Sequence, residues 1–207
     1  GWQRQVRTRE TIQGKLEDTL EKITGVKGQV IGAGRTDAGV HAIGQYANVH
    51  LQEEYDLKLL EDAWNKALPD DISIHGLTIM DERFHSRFSA REKHYRYCIR
   101  LSAEKGTALL LGTHDFMSFC GNKHFKKSSV RTIRDISLTL SGGELAIDYR
   151  GDGFLQNMIR IITGTLVEIG EGKKRAEEIP AILEAKDRAE AGFTAPPQGL
   201  TLVEVVY

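Results

Sequence analysis

The apolar positions of this chain recur with two distinct periods. Ile12, Leu16, Leu20 and Ile23 fall on one face at helical spacing, and Thr11 stands where an oxygen can cap the first turn of a helix over about 11–23. Leu57, Leu60, Trp64, Ala67 and Leu68 repeat the pattern over 57–68, where Pro69 ends the second helix, and Trp64 is expected in packing rather than as a stacking platform. After the turn Gly151-Asp152-Gly153, a long apolar run predicts a helix from Phe154 to Ile169, and a final helix is predicted near Ala176 to Ala185. Alternation takes over between Lys93 and Leu101. Tyr95, Tyr97, Ile99 and Leu101 share one side of that strand, and His94, Arg96, Cys98 and Arg100 share the other. Val130 to Leu140 and Glu144 to Arg150, joined by Ser141-Gly142-Gly143, read as an antiparallel hairpin. Shorter strands are predicted at Gln29 to Ile31, His41 to Leu51, Ile72 to Met80 and Leu200 to Val205. Together these elements predict an α+β domain with a largely antiparallel sheet.

The stretch Gly32-Ala33-Gly34-Arg35-Thr36-Asp37-Ala38-Gly39-Val40-His41 interrupts both periods. Its glycines mark a backbone that turns sharply or approaches another group closely. A tight loop at a strand end aims Asp37 outward, with Arg35 two residues back and no second acid nearby in sequence. Glycoside hydrolysis needs two carboxylates around one bond, and magnesium sites usually combine carboxylates with phosphate, so a solitary Asp suits neither well. A carboxylate nucleophile stays open, since a free aspartate is ionised at neutral pH. So does a structural role, in which Asp37 caps a turn or pairs with Arg35. A phosphate cradle is the weaker alternative, because GxGxxG is not matched and the Walker Lys-Ser/Thr is missing.

Composition narrows the setting. With 207 residues, 40% of them apolar and 28% charged, the chain fits one globular domain or two halves sharing a core. No apolar run approaches the length that crosses a bilayer, no secretory pattern opens the sequence, and a cytoplasmic location is expected. Cys98 and Cys120 have no CxxC spacing and are read as reduced thiols, and the seven histidines show no metal-binding spacing. The net charge of −1 argues against a uniformly basic nucleic-acid binder, but basic residues cluster. From Arg83 to Arg100 there are six Lys/Arg against the single Glu92, interleaved with Phe84, Phe88, Tyr95 and Tyr97. From Asn122 to Arg134 there are five and no acid. Such patches fit phosphate contact with aromatic stacking on bases, or equally a solvated face. Arg160 lies among Met158, Ile159, Ile161 and Ile162, where a cation needs a partner, and Asp37 is the natural candidate.

Gly34-Arg35-Thr36-Asp37-Ala38-Gly39-Val40-His41-Ala42 resembles the catalytic signature of the tRNA pseudouridine synthase A family. Further stretches resemble that family in the same order: Gly1-Trp2-Gln3-Arg4-Gln5, Thr11-Ile12-Gln13-Gly14-Lys15-Leu16-Glu17, Phe84-His85-Ser86-Arg87-Phe88-Ser89-Ala90, Tyr95-Arg96-Tyr97, Gly112-Thr113-His114-Asp115-Phe116 and Gly153-Phe154-Leu155-Gln156-Asn157-Met158-Ile159-Arg160. The resemblance implies the pseudouridine synthase fold, with two pseudo-symmetric halves (1–100, carrying the catalytic loop, and 101–207) sharing one continuous sheet around a central basic cleft as one catalytic domain. It implies isomerisation of uridine to pseudouridine at tRNA positions 38, 39 and 40, on a base flipped out of its stem. By the same resemblance Asp37 is the nucleophile and Arg35 is associated with the flipped state. Tyr95 stacks on the target base and is a candidate for removing its C5 proton, while Arg160 holds the acid charged and aimed. Arg4, His41, Gln45, Arg87, Lys93, Arg96, Lys123, Lys126 and Lys127 are the candidate RNA contacts. No cofactor or metal is implied, and the expected assembly is a homodimer on the anticodon stem-loop.

The sequence departs from the family between Arg100 and Gly112, where members carry a longer connection. Either this is a true deletion or part of the 100–107 connection is absent from the printed sequence; the second is expected, as is an absent strand before Gly1. Two readings of other classes remain: a non-catalytic tRNA-binding or chaperone protein, and an enzyme whose glycine loop holds nucleotide phosphates.

Overall fold

The computed structural model describes residues 1–6, 8, 10–99, 106–122, 124–142 and 144–207. Their packing divides the chain into one unit of 1–38 with 45–89 and a second of 39–44 with 90–207. The expectations for Lys123, for the shortened connection at 100–105 and for Gly143 in the hairpin turn lie outside the described residues.

The first unit is built on two helices. α1 (Ile12–Thr24) begins where Thr11 accepts the Gly14 N–H through its hydroxyl and ends at Gly25, whose φ of 73° is open to glycine at little cost. α2 (Leu57–Ala67) is capped by Asp56, which accepts from the Leu59 N–H at 3.0 Å. Their apolar stripes meet in a core of Trp2, Leu16, Leu20, Val30, Leu60, Trp64 and Leu68. The Trp64 indole N–H donates to Thr19 Oγ1 at 3.0 Å, so its role is the expected one of packing. A two-stranded antiparallel sheet completes the unit, from β1 (Ile31–Gly32) and β3 (Ala47–Asn48).

The strand predicted at Ile72 to Met80 is not formed. Its backbone is held by α2 side chains: Asn65 both donates to the Ile74 carbonyl and accepts its N–H, and Glu61 accepts from the Leu77 N–H at 2.9 Å. These bonds replace a ladder, so Ile72, Ile74 and Leu77 pack against the core without a sheet while Ile79 and Met80 stay exposed.

The second unit is a six-stranded sheet carrying two helices. Its strands are β2 (His41–Ala42), β4 (Glu92–Ile99), β5 (Gly112–Asp115), β6 (Val130–Ser141), β7 (Glu144–Gly151) and β8 (Leu200–Val206), in the spatial order β2-β8-β4-β7-β6-β5. All its neighbours are antiparallel except β2 and β8. α3 (Met158–Gly170) and α4 (Ile179–Ala185) follow the hairpin. The architecture is α+β and mostly antiparallel, as the periodicity predicts. The described strands form the two-stranded sheet β1-β3 and this six-stranded sheet, in which β4 lies between β7 and β8.

The run His41 to Leu51, predicted as one strand, is two short ones in different sheets. Between them the N–H groups of Ile43 and Gly44 are both taken by the Leu202 carbonyl, which ends one pairing before the other begins. α3 likewise starts at Met158 rather than Phe154, because Asn157 sits in the left-handed region at φ 59° and cannot continue a helix.

α3 is buried almost throughout and lies against residues 191–195 at backbone distance. Gly192 donates its N–H to Thr165 Oγ1 at 2.9 Å, and a Cβ on Gly164 would collide with the Phe193 carbonyl. Gly164→Ala is therefore expected to lower unfolding free energy by about 1–3 kcal/mol in a urea titration. Gly153→Ala, whose methyl would meet only the Arg131 side chain at 3.7 Å, should stay within about 0.5 kcal/mol of the parent.

Candidate active site

Where the glycine loop leaves β1, its backbone is bonded from several other parts of the first unit. Ser86, fully buried, donates its hydroxyl to the Ile31 carbonyl at 2.5 Å, and its own N–H goes to Asn48 Oδ1. Arg87 Nη2 donates to the Gly32 carbonyl at 3.3 Å. The Trp2 ring lies where a Gly32 side chain would be, so residue 32 must be glycine for the indole to pack there. Ala33 donates to the Tyr46 carbonyl, and Gly34 both donates to Gln45 Oε1 at 3.1 Å and accepts from Gln45 Nε2 at 3.0 Å. The Thr36 carbonyl accepts the Trp2 N–H at 3.0 Å. Within this frame Thr36 is buried, Asp37 half-buried and Arg35 exposed. Gly39, at φ 83°, turns the chain out of the loop.

The electrostatics of the first unit favour an anion at this loop. The Arg87 guanidinium is partly buried, and that burial together with the positive charge of Arg35 pulls its pKa below the usual arginine value. Two cations that repel each other beside one loop are relieved by a phosphate or a carboxylate.

In the second unit, Arg160 occupies the first turn of α3. Its Nε donates to the Ala195 carbonyl at 2.7 Å, its own carbonyl accepts the Ala195 N–H at 3.0 Å, and Nη1 donates to Asn157 Oδ1 at 3.2 Å. The side chain is half-buried, while Met158, Ile159, Ile161 and Ile162 are buried around its backbone. Tyr97 donates its hydroxyl to the Pro196 carbonyl at 2.6 Å; burial raises its pKa, and the charge of Arg160 partly opposes that rise. Tyr95 is 8% exposed, with its ring edge-on to Phe154 at 5.5 Å between centroids.

The candidate RNA contacts differ in how they are engaged. Arg4 is held by Glu17 and Asp18 at 2.9 and 3.0 Å, and Arg96 by Asp148 at 2.9 Å. Gln45 is occupied with Gly34, and Arg87 with Gly32. His41, Lys126 and Lys127 are exposed, and Lys93 is half-buried on β4.

Sequence reasoning missed three participants. Ser86 lies in the family-like stretch Phe84 to Ala90, which assigns it no role, Asn48 carries no motif, and the β1–β3 pairing brings Asn48 to the Ser86 N–H. His94, assigned to a polar strand face, is buried with Asp148 at 2.5 Å, next to a register shift between β4 and β8. A lone histidine in an alternating strand carries no signal of that pairing. Among the described residues, no group of three His, Cys, Asp or Glu side chains is placed to hold a metal ion, and no helix is long and apolar enough to cross a membrane.

Comparison with known proteins agrees across the whole chain. The family model described as tRNA pseudouridine synthase matches residues 1–89 and 107–207. A tRNA pseudouridine synthase A from Bacillus sp. (strain KSM-64) is 43% identical over 229 residues, covering 100% of this chain and 93% of its own length. The proteins of the same name from Acetivibrio thermocellus and Caldicellulosiruptor saccharolyticus are 42% and 39% identical, with the same coverage. The first matched block carries Arg35 and Asp37 and the second Arg160, while Tyr95 lies between them in the span that these relatives cover. On a family match to both blocks and relatives near 40% identity over its full length, this chain belongs to the tRNA pseudouridine synthase family, a family of isomerases.

Proposed function

We propose that this protein isomerises uridine to pseudouridine at positions 38, 39 and 40 of the tRNA anticodon arm, acting as a homodimer with Asp37 as its nucleophile. The observation that carries this reading is the family match, which spans the loop bearing Asp37 and the helix bearing Arg160.

The reaction breaks the bond from C1′ to N1, turns the uracil, joins C5 to C1′, and exchanges the C5 proton for one on N1. Product and substrate are isomers, so neither an oxidant nor a second substrate is required. One ionised carboxylate, attacking either C1′ of the sugar or C6 of the base, suffices to hold the intermediate while the base turns. The base reaches Asp37 only after leaving its stack, at a cost of a few kcal/mol. Arg35, exposed on the same loop, accompanies the flipped nucleotide. Tyr95 offers its ring to the uracil and its hydroxyl to the C5 proton. Arg160 supplies a guanidinium whose bonds to Ala195 and Asn157 fix its orientation. Lys126 and Lys127, both exposed, contact phosphate without reading sequence.

Three outcomes are expected. Asp37→Asn should lower pseudouridine formation on uridine-containing tRNA by about a thousandfold or more, read by mapping the modified positions; measurable turnover near the parent rate would exclude the nucleophile assignment. Tyr95→Phe, which keeps the ring, should lower kcat by roughly a hundredfold with KM unchanged, and full activity would remove the hydroxyl from the mechanism. Replacing Lys126 and Lys127 with Ala should raise KM for tRNA and flatten its salt dependence by about 0.7 to 0.9 in log–log slope per lost phosphate contact. An unchanged slope would place the RNA elsewhere.

A further inference from the structure

The β1–β3 ladder pairs Ile31 with Asn48 and Gly32 with Ala47, and Ala33 donates to the Tyr46 carbonyl at 2.7 Å. Continued by one position, this register sets Gly34 opposite residue 45. The rung at that position is made by a side chain. The carboxamide of Gln45 accepts the Gly34 N–H and donates to the Gly34 carbonyl, at 3.1 and 3.0 Å. A primary amide is the neutral side chain that offers a donor and an acceptor side by side, as a strand backbone does.

We propose that Gln45 is a positioning residue for Asp37: it adds a side-chain rung to the β1–β3 ladder and so fixes where the loop begins, three residues before the carboxylate. This rests on the reading of Asp37 as nucleophile. Glycines on either side of Ala33, at 32 and 34, lower the cost of alternative backbone conformations there, so the loop needs an external restraint to hold one of them. The neighbouring backbone is fixed from the other flank by Ser86 on the Ile31 carbonyl and Arg87 on the Gly32 carbonyl. At residue 34 the support comes from the two bonds to Gln45. The family resemblance counted Gln45 among the RNA contacts; with its amide turned onto Gly34, its expected effect moves from substrate affinity to the rate of the bound complex.

The test uses full-length Gln45→Met, which fills a similar volume with neither donor nor acceptor, and Gln45→Glu, which keeps an acceptor for the Gly34 N–H but sets oxygen against the Gly34 carbonyl. Both should lower kcat by about 10–100-fold, the range a displacement near 1 Å produces, with KM for tRNA unchanged. Hydrogen exchange at the Gly34 amide should accelerate in the Met variant while the core amides of α1 keep their protection, which separates a loosened loop from a failure to fold. An unaltered kcat, or a raised KM at unaltered kcat, overturns the proposal, the latter in favour of direct RNA contact. Gly34 exchange at the parent rate in the Met variant also overturns it. Asp37→Asn assayed alongside keeps the two readings apart: if that variant is active, the nucleophile assignment fails, and the exchange rate alone then decides whether the rung exists.

Discussion

A carboxylate in a loop is aimed only if its backbone is held, and a loop built on glycines holds itself least. The loop around Asp37 meets that constraint with atoms from outside its own stretch of chain. Trp2 donates to Thr36, Gln45 makes two bonds with Gly34, and Ser86 and Arg87 each bind a carbonyl at the end of β1. Each bond is worth about 1 kcal/mol net, so no single one guarantees the conformation, but several spread over residues 31 to 36 leave few alternatives. The requirement for glycine has the same origin. At Gly32 the Trp2 ring takes the volume of a side chain, so the residue that makes the loop pliable also admits the group that stiffens it.

The segment around Arg160 solves the same problem in the opposite way. There the backbone is a buried helix, rigid by its own ladder, and the mobile part is a long side chain. Ala195 pins it by accepting from Nε and donating to the carbonyl of the same residue, and Asn157 takes one Nη. Asn157 can do so because its left-handed φ of 59° stops the helix there and turns its side chain back toward the first turn. The close approach of residues 191–195 that makes this possible depends on Gly164 and Gly192, neither of which leaves room for a Cβ.

Periodicity made α1 and α2 legible because each buries one face, α3 was legible as a long apolar run, and the start of α1 was legible because its cap is local. The failures share a cause. Ile72 to Met80 has the composition of a strand but satisfies its backbone with Asn65 and Glu61, residues of another element. His41 to Leu51 divides where Leu202, distant in sequence, captures two N–H groups. Of the candidate site, the residue types and their loop could be read from the Gly34 to His41 motif. What holds them could not, since Ser86 and Asn48 become meaningful only once β1 and β3 pair.

Charge was the least transparent property, because a count of basic residues ignores what each is bonded to. In the run from Arg83 to Arg100, Arg96 is committed to Asp148, and Arg134 of the second cluster to Glu92; Arg4 is held by two acids of α1. An arginine in an ion pair must share or surrender its carboxylate to take a phosphate, so the gain from releasing RNA counterions is offset by the pair that is lost. Exposed lysines such as Lys126 and Lys127 carry a smaller penalty of that kind. Arg87 is the instructive case between these extremes: partly buried, bonded to a carbonyl rather than an acid, and repelled by Arg35. Its carbonyl partner holds it in place without neutralising it, so its full charge acts beside the glycine loop, where an anion would relieve the repulsion. A protein with a net charge of −1 can therefore bind a polyanion, because affinity follows the cations left uncommitted at the site rather than the sum over the chain.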